Sequence, residues 1–263
     1  MRGPDAANSV RFASLGSGSR GNALVVEAGA TRVMLDCGFS YAETVVRLAR
    51  LGLAPEDIHA VVVTHEHDDH VSGVARFAAR AGIPVYLTAG TLAAVASKFA
   101  QVRCECFDPH AAFQVGEITV RPFPVPHDAR EPAQCVFDDG ANTLGVLTDV
   151  GMPTAHIREM LSGCSGLVLE CNHDAELLLN GPYPASLKAR IGSRLGHLHN
   201  ADAAELLASL DRSRLRHVVA AHLSEANNTP ALARNALATA LGGRPDDVLV
   251  ATQKEGFDWL ELA

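Results

Sequence analysis

The chain has 263 residues, 48% of them hydrophobic and 20% charged, enough for one large core and ordinary for a globular protein. Its formal net charge of −8 excludes a global positive field that would recruit nucleic acid or an anionic membrane, so any such contact must be local. No run approaches the roughly 20 apolar residues of a membrane span, and none follows the first Arg, so the reading is a cytoplasmic protein with no membrane association.

In chain order, residues 1–8 read as a loose tail. Short apolar or alternating runs predict strands over 10–15, 23–28 and 31–36, joined by Gly-bearing turns. The first turn, "GSGSRGN" at 16–22, offers Ser17, Ser19 and Asn22 beside glycine amides able to cradle a phosphate; a flexible hairpin is the plain alternative. It lacks the GK[ST] ending of a P-loop. An amphipathic segment predicts a helix over 42–51, and a strand over 60–64 runs into "THEHDDH". There His65, Glu66, His67, Asp68, Asp69 and His70 are six consecutive titratable groups, which resist burial unless a strong positive charge holds them. His65 and His67 alternate after the strand while Asp69 and His70 lie past a bend, so four ligands converge from one loop and fit two ions better than one. Helices over 71–81 and 91–100 flank a strand over 85–88. The six cysteines include no CxxC pair, and Cys104 and Cys106 in "RCECF" read as alternation on a strand.

After Glu117 the pattern restarts. Strands are predicted over 118–123, 135–138, 143–148, 166–170, 217–221 and 247–251, and helices over 154–161, 184–191, 201–210 and 230–241. The expectation is one domain over 1–263, built from two related halves that face each other. Three polar residues stand stranded after apolar runs: His127 in "PFPVPHDA", Asp149 in "TLGVLTDVG" and His222 in "HVVAAHLS". Singly, each reads as a cap or a satisfied histidine; together with HxHxDH they supply the further ligands that two ions need. Between residues 177 and 201 there is no acidic residue, while Lys188, Arg190 and Arg194 occur with His197 and His199. Lys188 and Arg190 could position phosphates, although a solvated helix face explains them as well. For catalysis, His197 in "GHLHN" ranks first, His173 in "ECNHD" second and His199 third, with Asp69 counted as both ligand and catalytic group. The bland reading of these histidines is a helix-capping loop.

Taken together, "THEHDDH", "PHDA", "TDVG" and "AHLS" resemble the metallo-β-lactamase superfamily over most of the chain. The resemblance implies an α+β fold, a four-layered αββα sandwich with a dinuclear site between its sheets. It assigns His65, His67 and His127 to one metal, Asp69, His70 and His222 to the other, and Asp149 to a bridge. Glu66 and Asp68 match variable positions and should turn outward or support their neighbours. "SLGSGSRGNALVVEA", "LECNHD", "YPASLKARI", "GHLHN" and "AHLSEANN" resemble the YycJ/WalJ-type branch, whose members are regarded as 5′-exonuclease-like DNA processing enzymes. His197 resembles the histidine that nuclease branches place near the scissile phosphate. His199 stands where the branch commonly has Ser, so its role does not carry over.

The implied cofactors are two divalent ions, Zn2+ or Mn2+ with Fe2+ also suited, about 3.5–4 Å apart and sharing a hydroxide that attacks a phosphodiester. The implied partner is nucleic acid, DNA rather than RNA. The oxygen bridge at Asp149, where zinc lactamases tend to have Cys, suits phosphate chemistry. Within the same fold the alternatives are a cyclic phosphodiesterase or a glyoxalase II-like thioester hydrolase. The tRNA 3′-processing branch carries a Gly/Pro-rich arm that this sequence lacks. The alternative of another class is a non-catalytic metal-bound scaffold, against which all seven ligands are present.

Overall fold

The computed structural model describes residues 10–262, so the expected tail over 1–8 lies outside the described residues. The first half opens with β1 (Arg11–Gly16), β2 (Ala23–Ala28) and β3 (Thr31–Leu35), which pair antiparallel through short turns. Then come α1 (Tyr41–Arg50), β4 (Ala60–Val62), α2 (Asp68–Val71), α3 (Val74–Ala81), β5 (Val85–Leu87), α4 (Ala89–Val95) and β6 (Cys104–Cys106). Here the strands are parallel, because a helix supplies each long crossover. The helix expected over 71–81 is in two pieces. Gly73 lies between them so close to the preceding loop that a Cβ there would sit 1.9 Å from the Phe39 carbonyl oxygen.

The second half repeats the order, as the restart near Glu117 predicts. β7 (Phe113–Val115), β8 (Ile118–Pro124), β9 (Ala133–Asp138) and β10 (Thr143–Leu147) pair antiparallel. α5 (Ala155–Leu161), β11 (Gly166–Glu170), α6 (Ala175–Asn180), α7 (Ala185–Ile191), α8 (Asn200–Ser209), β12 (His217–Ala221), α9 (Pro230–Leu241) and β13 (Leu249–Val250) follow, with the strands parallel to β10. β14 (Phe257–Glu261) crosses back and pairs antiparallel with β1, Phe12 facing Leu260. Each sheet has seven strands.

Alternate side chains point to opposite faces of each strand, and this sorts the apolar residues into three cores. Phe12, Val26, Val33 and Val62 of the first sheet meet Ile118, Val120, Phe137 and Val168 of the second. On the outer faces Met34 and Val61 pack with Leu48 and Phe77, and Leu147 and Leu169 with Ile157, Leu207 and Leu237. At about 1.5–3 kcal/mol for each fully buried large side chain, these contacts dominate the stability of the layers. The result is the expected αββα sandwich. Among the described residues no helix is long and apolar enough to cross a membrane.

The carboxyl ends of β3, β4, β10, β11 and β12 open on one edge of the sandwich. Three residues just past them have left-handed backbone: Asp36 (φ 59°), Asp149 (φ 51°) and His222 (φ 54°). This conformation is uncommon outside glycine, and Asp and His are among the residue types that enter it most readily. Gly38 completes the edge, since a Cβ there would lie 1.9 Å from the Asp69 carbonyl oxygen, which accepts the Asn22 amide hydrogen at 2.8 Å. Gly38→Ala is expected to destabilise the protein by about 1–3 kcal/mol, measured by denaturant unfolding.

Candidate metal centre

His65, His67 and His127 bring three ring nitrogens together. His65 Nε2 lies 3.0 Å from His67 Nδ1, and His127 Nε2 lies 3.2 Å from the same atom. The far side of two of these rings decides their protonation. The Thr64 hydroxyl donates to Asp36 Oδ2 at 2.9 Å, so His65 Nδ1–H donates to Thr64 Oγ1 at 3.0 Å and leaves Nε2 as a lone pair. His127 Nδ1–H donates to the Gly196 carbonyl at 3.0 Å, with the same result. Two lone pairs therefore face one nitrogen of His67, which could donate to only one of them.

Asp69, His70 and His222 form the second group. Asp69 Oδ2 is 3.5 Å from His70 Nε2 and 3.3 Å from His222 Nε2. Asp149 stands between the groups: its Oδ2 is 3.0 Å from His70 Nε2, and its Oδ1 is 3.6 Å from His222 Nε2 and 4.0 Å from His127 Nε2. Asp149 Oδ2 is buried without a hydrogen-bond partner, 3.0 Å from His70 Nε2, while the other ring nitrogen of His70, Nδ1, lies 2.8 Å from Asp36 Oδ2.

The charges respond to this crowding. Burial opposes ionisation of Asp149, yet His222 and His70 hold its carboxyl well below the usual range. Burial likewise opposes protonation of His222, but Asp149, with hydrogen bonds to Asp69 and Glu170, carries it up to about 10. His70 is raised well above its ordinary value by Asp149, Asp69 and Asp36 against the same burial. His65 and His127 go the other way, kept neutral chiefly by burial.

This donor set fits divalent ions. Opposed lone pairs, an orphaned buried carboxylate oxygen and imidazoles held from behind in one tautomer are what nitrogen and oxygen ligation requires. The mutually close groups are His65–His67–His127, Asp69–His70–His222 and His65–His70–Asp149, with Asp149 close also to Glu170, His197 and His222.

Two residues that the sequence reading passed over brace the candidate ligands. Asp36 accepts from the Thr64 amide, the Thr64 hydroxyl and His70 Nδ1. Glu170 is buried, accepts from the Val150 and Leu198 amides, and lies 2.8 Å from His197 Nδ1 and 3.3 Å from His222 Nδ1. Both end apolar strands, the signal that exposed Asp149 and His222.

The centre lines a cleft of about 400 Å³, together with Ser19, Asp128, Asn172, Tyr183, Leu187, Arg190, Ile191, His197 and Ser224. His197 is raised from its ordinary value, burial opposing and Glu170 prevailing. Arg190 lies on the cleft wall with its Nε 2.6 Å from Asp128 Oδ2. Ser17 and Asn22 brace ligands: Ser17 Oγ accepts the His222 amide hydrogen, and Asn22 Nδ2 lies 3.3 Å from Asp69 Oδ2 and 3.1 Å from His70 Nε2. His173, Lys188 and His199 are not among the lining residues. His173 is held neutral by burial, its pKa lowered to about 4, and Lys188 Nζ donates to the Leu179 carbonyl. His199 caps α8 by accepting the Ala201 amide hydrogen at 3.0 Å, a task that Ser performs equally well. Glu66 accepts the Arg130 amide hydrogen, and Asp68 pairs with Lys98 at the surface.

Known proteins resemble the chain in sequence and in fold. The family described as Beta-lactamase superfamily domain matches residues 31–222. The chain is 34% identical over 235 residues to the exodeoxyribonuclease YycJ of Bacillus anthracis, spanning 88% of this chain and 89% of that protein. It is 32% identical over 228 residues to the exodeoxyribonuclease WalJ of Streptococcus pneumoniae, spanning 85% of each. Among solved structures it is similar to the metallo-β-lactamase fold protein YhfI from Bacillus subtilis, with a TM-score of 0.76 at 16% identity over 97% of this chain and 100% of that one, a likeness of fold.

Asp36→Ala frees the back of His70, so metal affinity is expected to fall by about 10- to 100-fold in a competitive chelator titration.

Proposed function

The chain belongs to the β-lactamase superfamily, and on that footing we propose that it is a single-domain, dinuclear metal-dependent phosphodiesterase that removes nucleotides from DNA ends in the cytoplasm. The observation that carries this reading is the buried Asp149 carboxylate lying between two histidine groups, with His197 beside it at the floor of an open cleft. His65, His67 and His127 would hold one ion and Asp69, His70 and His222 the other, with the Asp149 carboxylate available to both. Such ions, Zn2+ or Mn2+ by the hardness of the donors, supply an activated water and neutralise charge on a transferring phosphoryl group.

The protein's own groups do the rest. Glu170 fixes the His197 ring through Nδ1 and favours its protonated form, so that Nε2–H can be delivered to the departing oxygen. Asp36 and Glu170 keep His70 and His222 from turning. Ser19 and Arg190 on the cleft wall are placed to hold backbone phosphate, Arg190 by sharing its guanidinium between Asp128 and the substrate. The names of the curated relatives, both exodeoxyribonucleases, favour DNA over RNA.

End-labelled DNA and RNA, incubated with Mn2+ or Zn2+ beside a glutathione thioester, test the reading. Stepwise mononucleotide release from DNA is expected, with the thioester untouched; thioester cleavage alone would point to the small-molecule hydrolase. His67→Ala and Asp149→Asn should lose both metal and hydrolysis. His197→Ala should keep its metal and lose roughly 100- to 10,000-fold in turnover, read by metal analysis and steady-state kinetics on the same preparations.

A further inference from the structure

Among the cleft residues outside the metal centre, three are aromatic or aliphatic: Tyr183, Leu187 and Ile191. Spaced four apart, Leu187 and Ile191 share one face of α7, and Tyr183 stands just before the helix in line with them. α7 buries none of its residues, whereas each other helix of seven or more described residues buries at least two. Its apolar face is turned to the cleft instead of to a core. Tyr183 is half-buried, yet it stacks on no ring and its hydroxyl has no hydrogen-bond partner among the described residues. Pro182 and Pro184 flank it and restrict its backbone.

The cleft thus has two unlike walls. One carries His67, Asp69, Asp149, His197 and His222; the other is aromatic and aliphatic, on a segment with Lys188, Arg190 and Arg194 and no acid between residues 177 and 201. A ligand that matches both has a flat apolar face and an anionic group a short distance away. At about 400 Å³ the space lies near the small end of single-ligand sites, a size that suits one nucleotide.

Resting on the nuclease reading above, we propose that Tyr183, Leu187 and Ile191 form the seat for the base of the terminal nucleotide of a DNA strand. Every base has a π-face, and a stacking seat accepts them all, which suits an enzyme that removes successive nucleotides. Asn172, the amide on the opposite side, donates through Nδ2 to the His222 carbonyl at 2.9 Å.

The test uses the full chain loaded with Mn2+ and hydrolysis-resistant phosphorothioate oligonucleotides carrying 2-aminopurine at the terminal or the fifth position. Binding should quench the terminal probe and leave the fifth unchanged in wild type and Tyr183→Phe, while Tyr183→Ala loses the terminal quench. On ordinary single-stranded DNA, Tyr183→Ala should raise KM by about tenfold or more with a much smaller change in kcat, and Tyr183→Phe should restore it. An equal terminal quench in Tyr183→Ala, or none in a wild type that degrades DNA, overturns the base seat alone. A wild type that degrades no DNA overturns the nuclease reading, and the base seat falls with it.

Discussion

Carboxylate oxygens and imidazole lone pairs that face one another can stay buried only around a shared positive charge. The edge of this sandwich is built on that condition. His65, His70, Asp149 and His222 are almost wholly buried, and Asp149 reaches within 3.0 Å of His70 Nε2 through Oδ2 and 3.6 Å of His222 Nε2 through Oδ1. Each imidazole can turn a lone pair inward only if its other nitrogen is occupied. Thr64, Asp36, Glu170 and the Gly196 carbonyl meet that need from four different segments. Donors from both halves of the chain are thereby tied to one point.

The same condition accounts for the irregular backbone. Left-handed conformation at Asp36, Asp149 and His222 costs on the order of 1–3 kcal/mol each, and it recurs where a strand must end with its side chain turned into the centre. Rigid parallel strands and three apolar cores absorb that strain. Function depends on it in turn, because the turn at Asp149 aims the carboxylate between two histidine groups and Glu170, one strand away, holds His197 against it.

Much of this was legible in the primary structure, for identifiable reasons. The αββα order followed from strand and helix periods, and the ligand loop from six titratable residues in a row. His127, Asp149 and His222 stood out as polar residues where core was expected. Asp36 and Glu170 carried the same signal but were passed over, since nothing local distinguishes an acid that grips a ligand from one that caps a turn. β7 has three residues, too few to show a period; β14 was missed despite Phe257, Trp259 and Leu260, and α6 although Asp174 caps it by accepting from Glu176 and Leu177. Tyr183 gave no sign, because only the packing of α7 shows that its apolar face looks into a cleft. His199, read as a candidate for chemistry, occupies a capping position whose geometry depends on the start of α8.

The central claim is that the buried donors enclose two ions that share Asp149. Metal analysis of the purified protein, combined with anomalous scattering from its crystals at the metal edges, tests it directly. The account predicts two peaks per chain about 3.5–4 Å apart, one beside His65, His67 and His127 and one beside Asp69, His70 and His222, with Asp149 touching both. A single ion at full loading, or two ions that leave Asp149 uncoordinated, would contradict it.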